Sequence, residues 1–212
     1  AYAAIRRYLD LGNGLDATAL RAIGTKYICL LNPTELNRID PSSLKLVSLN
    51  HSTCSETTKD ILYAKAKRAF SGLPFPPYYT LIEPYLGGAP AVDLRALSTK
   101  NVNMNISTFV TLRRDSLMSL TPSEVRGLLG INLPDLRKWQ NKSPIWQWVR
   151  RQKQSELDKL QIGLTGGTQE GYINLAKPGY QLSSSASLGP VATTLHLPPA
   201  LLSSFLLMSI LS

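Results

Sequence analysis

Few side chains in this 212-residue chain have the types and the spacing that catalysis requires. The chain contains two histidines, His51 and His196, which lie far apart in sequence. A histidine-based triad or a metal cluster needs several such groups close together. The carboxylates occur mostly at helix starts or beside basic residues, where capping or solvation explains them. The sequence therefore predicts no catalytic residue, no metal site, no cofactor and no small-molecule substrate.

Two cysteines, Cys29 and Cys54, could form a covalent bond with each other. Such a bond closes a loop and would stabilise the fold by about 3 kcal/mol through the lost entropy of the unfolded chain. Two unrelated buried thiols are the alternative, because a sequence does not give the distance between sulfur atoms. The bridge is favoured because the carboxyl-terminal segment described below indicates an oxidising, secretory compartment.

Three Asn-x-Ser sequences are acceptors for N-linked glycosylation, at Asn50, Asn105 and Asn141. Each is a short pattern that also arises by chance, and Pro144 directly after the third lowers the use of Asn141. Together they support a secreted or surface-exposed protein, and we expect glycans at these three asparagines.

The carboxyl-terminal segment 178–212 contains no Lys, Arg, Asp or Glu. A cluster of small residues at 183–187 is followed by a spacer and then by an apolar run that ends at residue 212. This order matches the signal for attachment of glycosylphosphatidylinositol, a lipid that anchors proteins to the membrane. We expect Ser183 to carry the lipid, with Ser184 as the alternative, and residues 184–212 to be removed.

Two other interpretations of this segment remain. A transmembrane helix would need about 20 apolar residues followed by Lys or Arg, whereas Pro198 and Pro199 interrupt the run and no basic residue follows it. A helix packed inside the fold would have to be buried on every side.

The formal net charge of +9 lies entirely before residue 178. A basic chain suits nucleic acid or anionic cell-surface glycans and sialylated mucins. The secretory features favour the second class, and the scattered basic pairs are explained by solvated helix faces, so nucleic acid is not expected as a partner. No signal peptide is evident at the amino terminus, so we expect this to be the carboxyl-terminal part of a longer precursor.

Helix starts are the clearest structural pattern. Asn32 and Thr121 each precede a proline and, three residues on, a glutamate, as in a capped helix. Asp40 and Ser143 also precede prolines, and an apolar stripe predicts a helix from Ser55 to Phe70. Strand patterns are few. The sequence therefore predicts an all-α, irregular solenoid of short helices, of undetermined handedness.

Three segments are predicted along the chain. Residues 1–162 form the helical solenoid. Residues 163–183 form a disordered Gly/Ser-rich stalk next to the membrane. Their glycines are not expected to bind phosphate, because the Lys-Ser/Thr of a phosphate-binding loop does not follow them. Residues 184–212 form the removed signal.

The sequence resembles the mesothelin and mesothelin-like family, which is related to the otoancorin and stereocilin group. The resemblance extends over nearly the whole chain and is strongest from Tyr85 to Pro90. Cys29 and Cys54 lie where this family has a cysteine pair. Further agreement is found at Leu62, Tyr63, Lys65, Ala66, Asp93, Leu94, Asn101, Val102, Met104, Phe109, Leu128, Leu129, Gly130, Gly166, Gly167 and Tyr172.

The resemblance implies a precursor whose carboxyl-terminal product is a superhelical, armadillo-like glycoprotein. It further implies a lipid anchor on the extracellular face of the cell membrane, with a shed form as an alternative. The implied function is cell adhesion through a mucin or another extracellular glycoprotein. The alternative, taken from the inner-ear relatives, is attachment of epithelial cells to an acellular gel. No mucin-binding residue is carried over, because the mucin-contacting part of the family lies closer to the start of its mature product.

Overall fold

The computed structural model describes residues 2–47 and 53–171. Within these ranges the fold is all-α and contains no strand beyond two isolated bridges, which confirms the predicted class. The predictions for Asn50, Ser183, Ser184 and the tail 184–212 lie outside the described residues. The helices are α1 (Tyr2–Asp10), α2 (Ala17–Ile28), α3 (Pro33–Asn37), α4 (Glu56–Phe70), α5 (Pro77–Ile82), α6 (Ala91–Ser98), α7 (Ile106–Val110), α8 (Arg114–Met118), α9 (Pro122–Leu129), α10 (Asp135–Trp139), α11 (Ile145–Val149) and α12 (Gln154–Asp158), with 3₁₀ segments Pro41–Lys45, Glu83–Gly88 and Gly130–Asn132.

The predicted caps of α3 and α9 are present. Asn32 accepts a hydrogen bond from the Glu35 backbone N–H, and Glu35 accepts from the Asn32 N–H in return. Thr121 and Glu124 make the same reciprocal pair at the start of α9. Each pair satisfies two backbone donors that a helix start leaves free.

Two other predicted starts differ from these. Asp40 caps the 3₁₀ segment Pro41–Lys45, where its carboxylate accepts from the Ser42 N–H. Ser143 does not cap α11, which begins at Ile145 and has no side-chain cap.

Helix α4 is the longest helix in the described ranges and packs on its neighbours on both sides along the chain. Ser55 caps it, and the predicted stripe is buried at Leu62, Ala66 and Phe70. The 3₁₀ segment Glu83–Gly88 passes so close that a Cβ on Gly88 would lie 2.1 Å from the Lys59 carbonyl oxygen. Only glycine fits this approach of backbone to backbone.

Contacts between successive helices recur at a nearly constant offset along the chain. Gly127 on α9 meets the Ser98 carbonyl at the end of α6, where a Cβ would lie 2.2 Å from the oxygen. This pair and the pair of Gly88 with Lys59 are both 29 residues apart in sequence. Each helix therefore packs on the helix about one repeat further along, which is the arrangement of a solenoid.

Side-chain bonds follow the same offset. Arg6 reaches Glu35 at 3.2 Å and Arg95 reaches Glu124 at 3.1 Å, and each of these glutamates belongs to a capping pair. Both pairs join residues 29 apart in sequence. These bonds join α1 to α3 and α6 to α9 at the same offset, which the irregular spacing of caps in the sequence does not reveal.

One apolar core continues from Ile5 to Leu164. The buried indole of Trp148 donates to the Leu120 carbonyl at 2.8 Å, and Ser116 donates to the Ala89 carbonyl at 2.8 Å. The side chains of Ile145, Trp148 and Val149 on α11 are buried in this core.

The segment 163–171 packs on the last three helices. Leu164 is buried, and backbone bonds of 2.8 Å join Thr168 to Gln152 and to Gln154. The Lys153 ammonium lies 2.9 Å from Glu170. The compact unit therefore includes the first part of the predicted stalk and extends past residue 162. Among the described residues, no helix is long and apolar enough to cross a bilayer.

Candidate partner-binding groove

An open groove runs between α4 and α6. It consists of two adjoining cavities of about 650 and 460 Å³, which share four lining residues. We call it the α4–α6 groove. The side chains that line it are Asp60, Tyr63, Lys67, Arg68, Ser71, Leu73, Phe75, Tyr78, Asp93, Lys100 and Arg113.

The middle of the groove is a bonded trio of Tyr63, Lys67 and Asp93. The Tyr63 hydroxyl donates to Asp93 Oδ2 at 2.9 Å, and the Lys67 ammonium lies 2.7 Å from both carboxylate oxygens. Burial raises the pKa of Tyr63, and the bond to Asp93 raises it further. The phenol therefore stays protonated as a donor, and the trio forms a fixed polar floor.

Asp60 lies at one end of the groove. Its Oδ2 accepts from Arg113 at 2.8 Å, whereas its Oδ1 is buried and has no hydrogen-bond partner among the described residues. Burial raises the pKa of Asp60, and this effect outweighs the neighbouring guanidinium, which acts in the opposite direction.

The other end of the groove is aromatic and basic. Phe75 is 41% exposed, and Tyr78 is half-buried beside it. Lys100 at this end is exposed and forms no ion pair within the described ranges. Arg68 is also exposed and without an ion pair there, but it lines the adjoining cavity together with Asp60. Exposed rings beside unpaired cations suit an acidic, partly apolar partner surface. Within residues 2–47 and 53–171, no group of three or more His, Cys, Asp or Glu side chains could hold a metal ion.

The cysteines predicted from sequence are bonded to each other, with their Cα atoms 4.8 Å apart. The bridge joins the end of α2 to the residues just before α4, and encloses α3 and the 3₁₀ segment Pro41–Lys45.

Two predicted glycosylation sites are described, and both are exposed. Asn105 caps α7 by accepting from the Thr108 N–H at 2.7 Å, and its amide donates to Glu83 at 3.1 Å. Asn141 lies in the turn between α10 and α11. Glycan attachment at either residue stays a prediction.

Of the two adjacent tyrosines at the aromatic end, Tyr78 lines the groove whereas Tyr79 is buried. The sequence does not reveal the pair of Lys67 with Asp93, because these residues lie 26 positions apart in sequence and meet only when α4 packs on α6.

Comparisons with known proteins agree with the resemblance seen in the sequence. A family model described as mesothelin matches residues 1–207. The chain is 39% identical over 207 residues to mesothelin from Mus musculus, covering 95% of this chain and 33% of that protein. It is 41% identical over 172 residues to mesothelin from Rattus norvegicus, covering 79% and 28%, respectively.

A mesothelin-like protein from Mus musculus is 35% identical over 173 residues, which covers 81% of this chain and 25% of that protein. The chain therefore spans a third or less of the length of these curated relatives.

Proposed function

Because the chain belongs to the mesothelin family, we propose that it is part of a cell-surface glycoprotein that is held on the extracellular face by a glycosylphosphatidylinositol lipid. We further propose that it mediates cell adhesion by binding a mucin-type or other extracellular glycoprotein. The family match over residues 1–207 carries this proposal. The disulfide and the exposure of Asn105 and Asn141 support a secretory route.

The lipid anchor is supported by the order of small residues, spacer and apolar run in residues 183–212. The test is treatment with phosphatidylinositol-specific phospholipase C of cells that express the full-length protein containing this chain. We expect the enzyme to release the surface protein into the medium. Replacing Ser183, Ser184 and Ser185 together by bulky residues should abolish surface anchoring, since the attachment site requires small side chains.

A matched control changes Ser203 and Ser204 to alanine, which keeps the tail apolar and leaves the attachment cluster intact. This variant should be anchored and released as the natural sequence is. Surface protein that resists the enzyme, together with unchanged anchoring of the triple variant, would refute the lipid anchor.

The partner site that we propose is the α4–α6 groove from its aromatic end to Arg68 in the adjoining cavity. Lys100 and Arg68 supply positive charge that no ion pair among the described residues neutralises, and Phe75 supplies an exposed ring. Sialylated glycoproteins are anionic, so charge attraction steers their approach and the ring adds contact area.

Adhesion of expressing cells to mucin-coated surfaces tests this site. Arg68→Glu should lower the number of attached cells several-fold, and the loss should shrink at high salt because screened charges matter less. The matched control is Arg7→Glu, since Arg7 is also an exposed arginine in the last turn of its helix. Equal adhesion of the two variants would exclude the groove. Adhesion only to surfaces coated with an acellular matrix gel would favour the alternative role in gel attachment.

A further inference from the structure

Two cation and ring pairs follow one another along α10 and α11, the first with a half-buried ring and the second with an exposed one. The Lys142 ammonium lies 5.0 Å from the centre of the Trp139 ring, and the Arg150 guanidinium lies 5.6 Å from that of Trp146. Backbone bonds connect the four residues in order: Lys142 N–H to the Trp139 carbonyl, Trp146 to Lys142, and Arg150 to Trp146, at 2.8 to 3.1 Å. We call these four residues the tryptophan–cation ladder.

The ladder lies in a strongly basic part of the chain. Residues 136–155 contain six Lys or Arg and no Asp or Glu. Lys138 is paired with Asp135 and Lys153 with Glu170. Lys142, Arg150 and Arg151 are exposed and form no ion pair with any described residue. Trp146 is 37% exposed, whereas Trp148 on the same helix is fully buried.

The ladder is also close to the point where the chain leaves the compact unit. The ion pair of Lys153 with Glu170 and the hydrogen bond from Thr165 to Gln140 fix the segment 163–171 against α10 to α12. Eleven residues lie between residue 171 and Ser183, and the twelve steps from one to the other span at most about 40 Å. A lipid on Ser183 would therefore keep this end of the unit within about 40 Å of the bilayer.

We propose that the tryptophan–cation ladder is a membrane-contact surface that rests on phospholipid head groups. The location of the bilayer relative to the ladder rests on the proposed lipid anchor. Tryptophan rings favour the interface between head groups and acyl chains. Lys142, Arg150 and Arg151 match the phosphate oxygens of the same lipids. This surface would hold the α10 and α11 end of the compact unit against the membrane. The α4–α6 groove lies on earlier helices of the series.

The test uses the chain of residues 1–212, inserted through its apolar tail into phosphatidylcholine vesicles whose acyl chains carry bromine near the head groups. Bromine quenches tryptophan emission on contact. We expect a loss of at least about a third of the emission relative to unbrominated vesicles, since Trp146, the exposed ring of the ladder, is one of three tryptophans, whereas Trp139 is half-buried against the core. Trp146→Phe should abolish most of this loss, and Arg150→Glu should reduce it at least about twofold, because it removes a donor to the lipid phosphates.

Lys45→Glu is the matched control, because Lys45 is an exposed lysine on an early 3₁₀ segment. Its quenching should equal that of the unchanged chain. An unquenched natural chain, or quenching that survives Trp146→Phe, would overturn the proposal. Retention on heparin that both ladder variants lose, without quenching by vesicles, would instead assign the ladder to an anionic glycan. This assay needs no lipid on Ser183, so its result is separate from that of phospholipase release.

Discussion

Two aspartates of the α4–α6 groove, Asp93 and Asp60, differ in the hydrogen bonds that their carboxylates accept. Asp93 is bonded by Tyr63 and Lys67, whereas one oxygen of Asp60 is buried with no hydrogen-bond partner among the described residues. Elsewhere, Asp40 accepts two bonds from Ser42, from the hydroxyl and from the backbone N–H, and these lower its pKa. The surroundings of Asp60 and Asp40 thus shift the pKa values of these two aspartates in opposite directions. Measuring stability against pH can distinguish the two.

For Asp60, burial raises the pKa in the folded chain above the ordinary aspartate value of 3.8. The folded state then binds this proton more tightly than the unfolded chain does. Stability contributed by Asp60 therefore falls as pH rises from 3.8 through the folded pKa. We expect the difference in free energy of unfolding between the natural chain and Asp60→Asn to fall as pH rises above 3.8.

For Asp40→Asn, the difference in free energy of unfolding from the natural chain should rise with pH, which is the opposite slope. The lowered pKa of Asp40 adds stability that is lost as pH falls through the folded pKa. Urea unfolding at several pH values measures both differences. Slopes of the same sign for the two variants would contradict these assignments.

Gly88 gives a second prediction for a single residue. We expect Gly88→Ala to lower the free energy of unfolding by about 2 kcal/mol or more, since the new Cβ would meet the Lys59 carbonyl and force the backbone apart. Gly72→Ala is the control, because a Cβ there meets nothing within 4 Å, and its change should stay within about 0.5 kcal/mol. Comparable losses in thermal or urea unfolding would show that the close approach is absent.

Among the elements, α4 packs both on the helices that precede it in the chain and on those that follow it. Its Lys65 is buried and donates to the carbonyls of Asn37 and Ile39 at 2.9 and 2.8 Å. Burial lowers the pKa of this ammonium, and the nearby Arg68 lowers it further. Lys65 thus ties the end of α3 to α4 where no backbone bond joins them among the described residues.

We expect Lys65→Met to destabilise the fold by about 2 kcal/mol, because it keeps the apolar stem but leaves two carbonyls without their donor. Lys45→Met, at an exposed lysine, should change the free energy of unfolding by less than about 0.5 kcal/mol. The measurement is urea unfolding of both variants beside the natural chain. Equal stability of the Lys65 variant and the control would show that these bonds contribute nothing.

Local rules predicted individual elements well. The caps at Asn32 and Thr121 and the stripe of α4 depend on residues within one or two turns, so the sequence contains all of their information. The 29-residue offset was not predictable in this way. It depends on contacts of glycine and side chains with backbone carbonyls, such as Gly127 with Ser98. Every residue has a backbone carbonyl, so the residue types in the sequence do not mark which carbonyl makes the contact. The groove needs α4, α6 and Arg113 together, which only the packing supplies.

Across the whole molecule, the disulfide is the covalent link of the series, and it encloses α3 and the 3₁₀ segment Pro41–Lys45. Replacing Cys29 and Cys54 together by serine should lower the free energy of unfolding by about 3 kcal/mol, because the unfolded chain regains the entropy of the closed loop. A reducing agent should cause the same loss in the natural chain and none in the variant. Free thiols at both cysteines before reduction would contradict the bridge.

If the proposed lipid holds the molecule to the membrane, the order of the helix series also decides how mechanical load passes through it. A pull between a partner in the α4–α6 groove and the membrane would pass from α4 and α6 to residue 171. It stresses the contacts of Gly127 with Ser98 and of Trp148 with Leu120. Helices α1 to α3 and the disulfide lie outside this path. In single-molecule pulling from the groove, reduction should therefore leave the rupture force unchanged, although it lowers equilibrium stability.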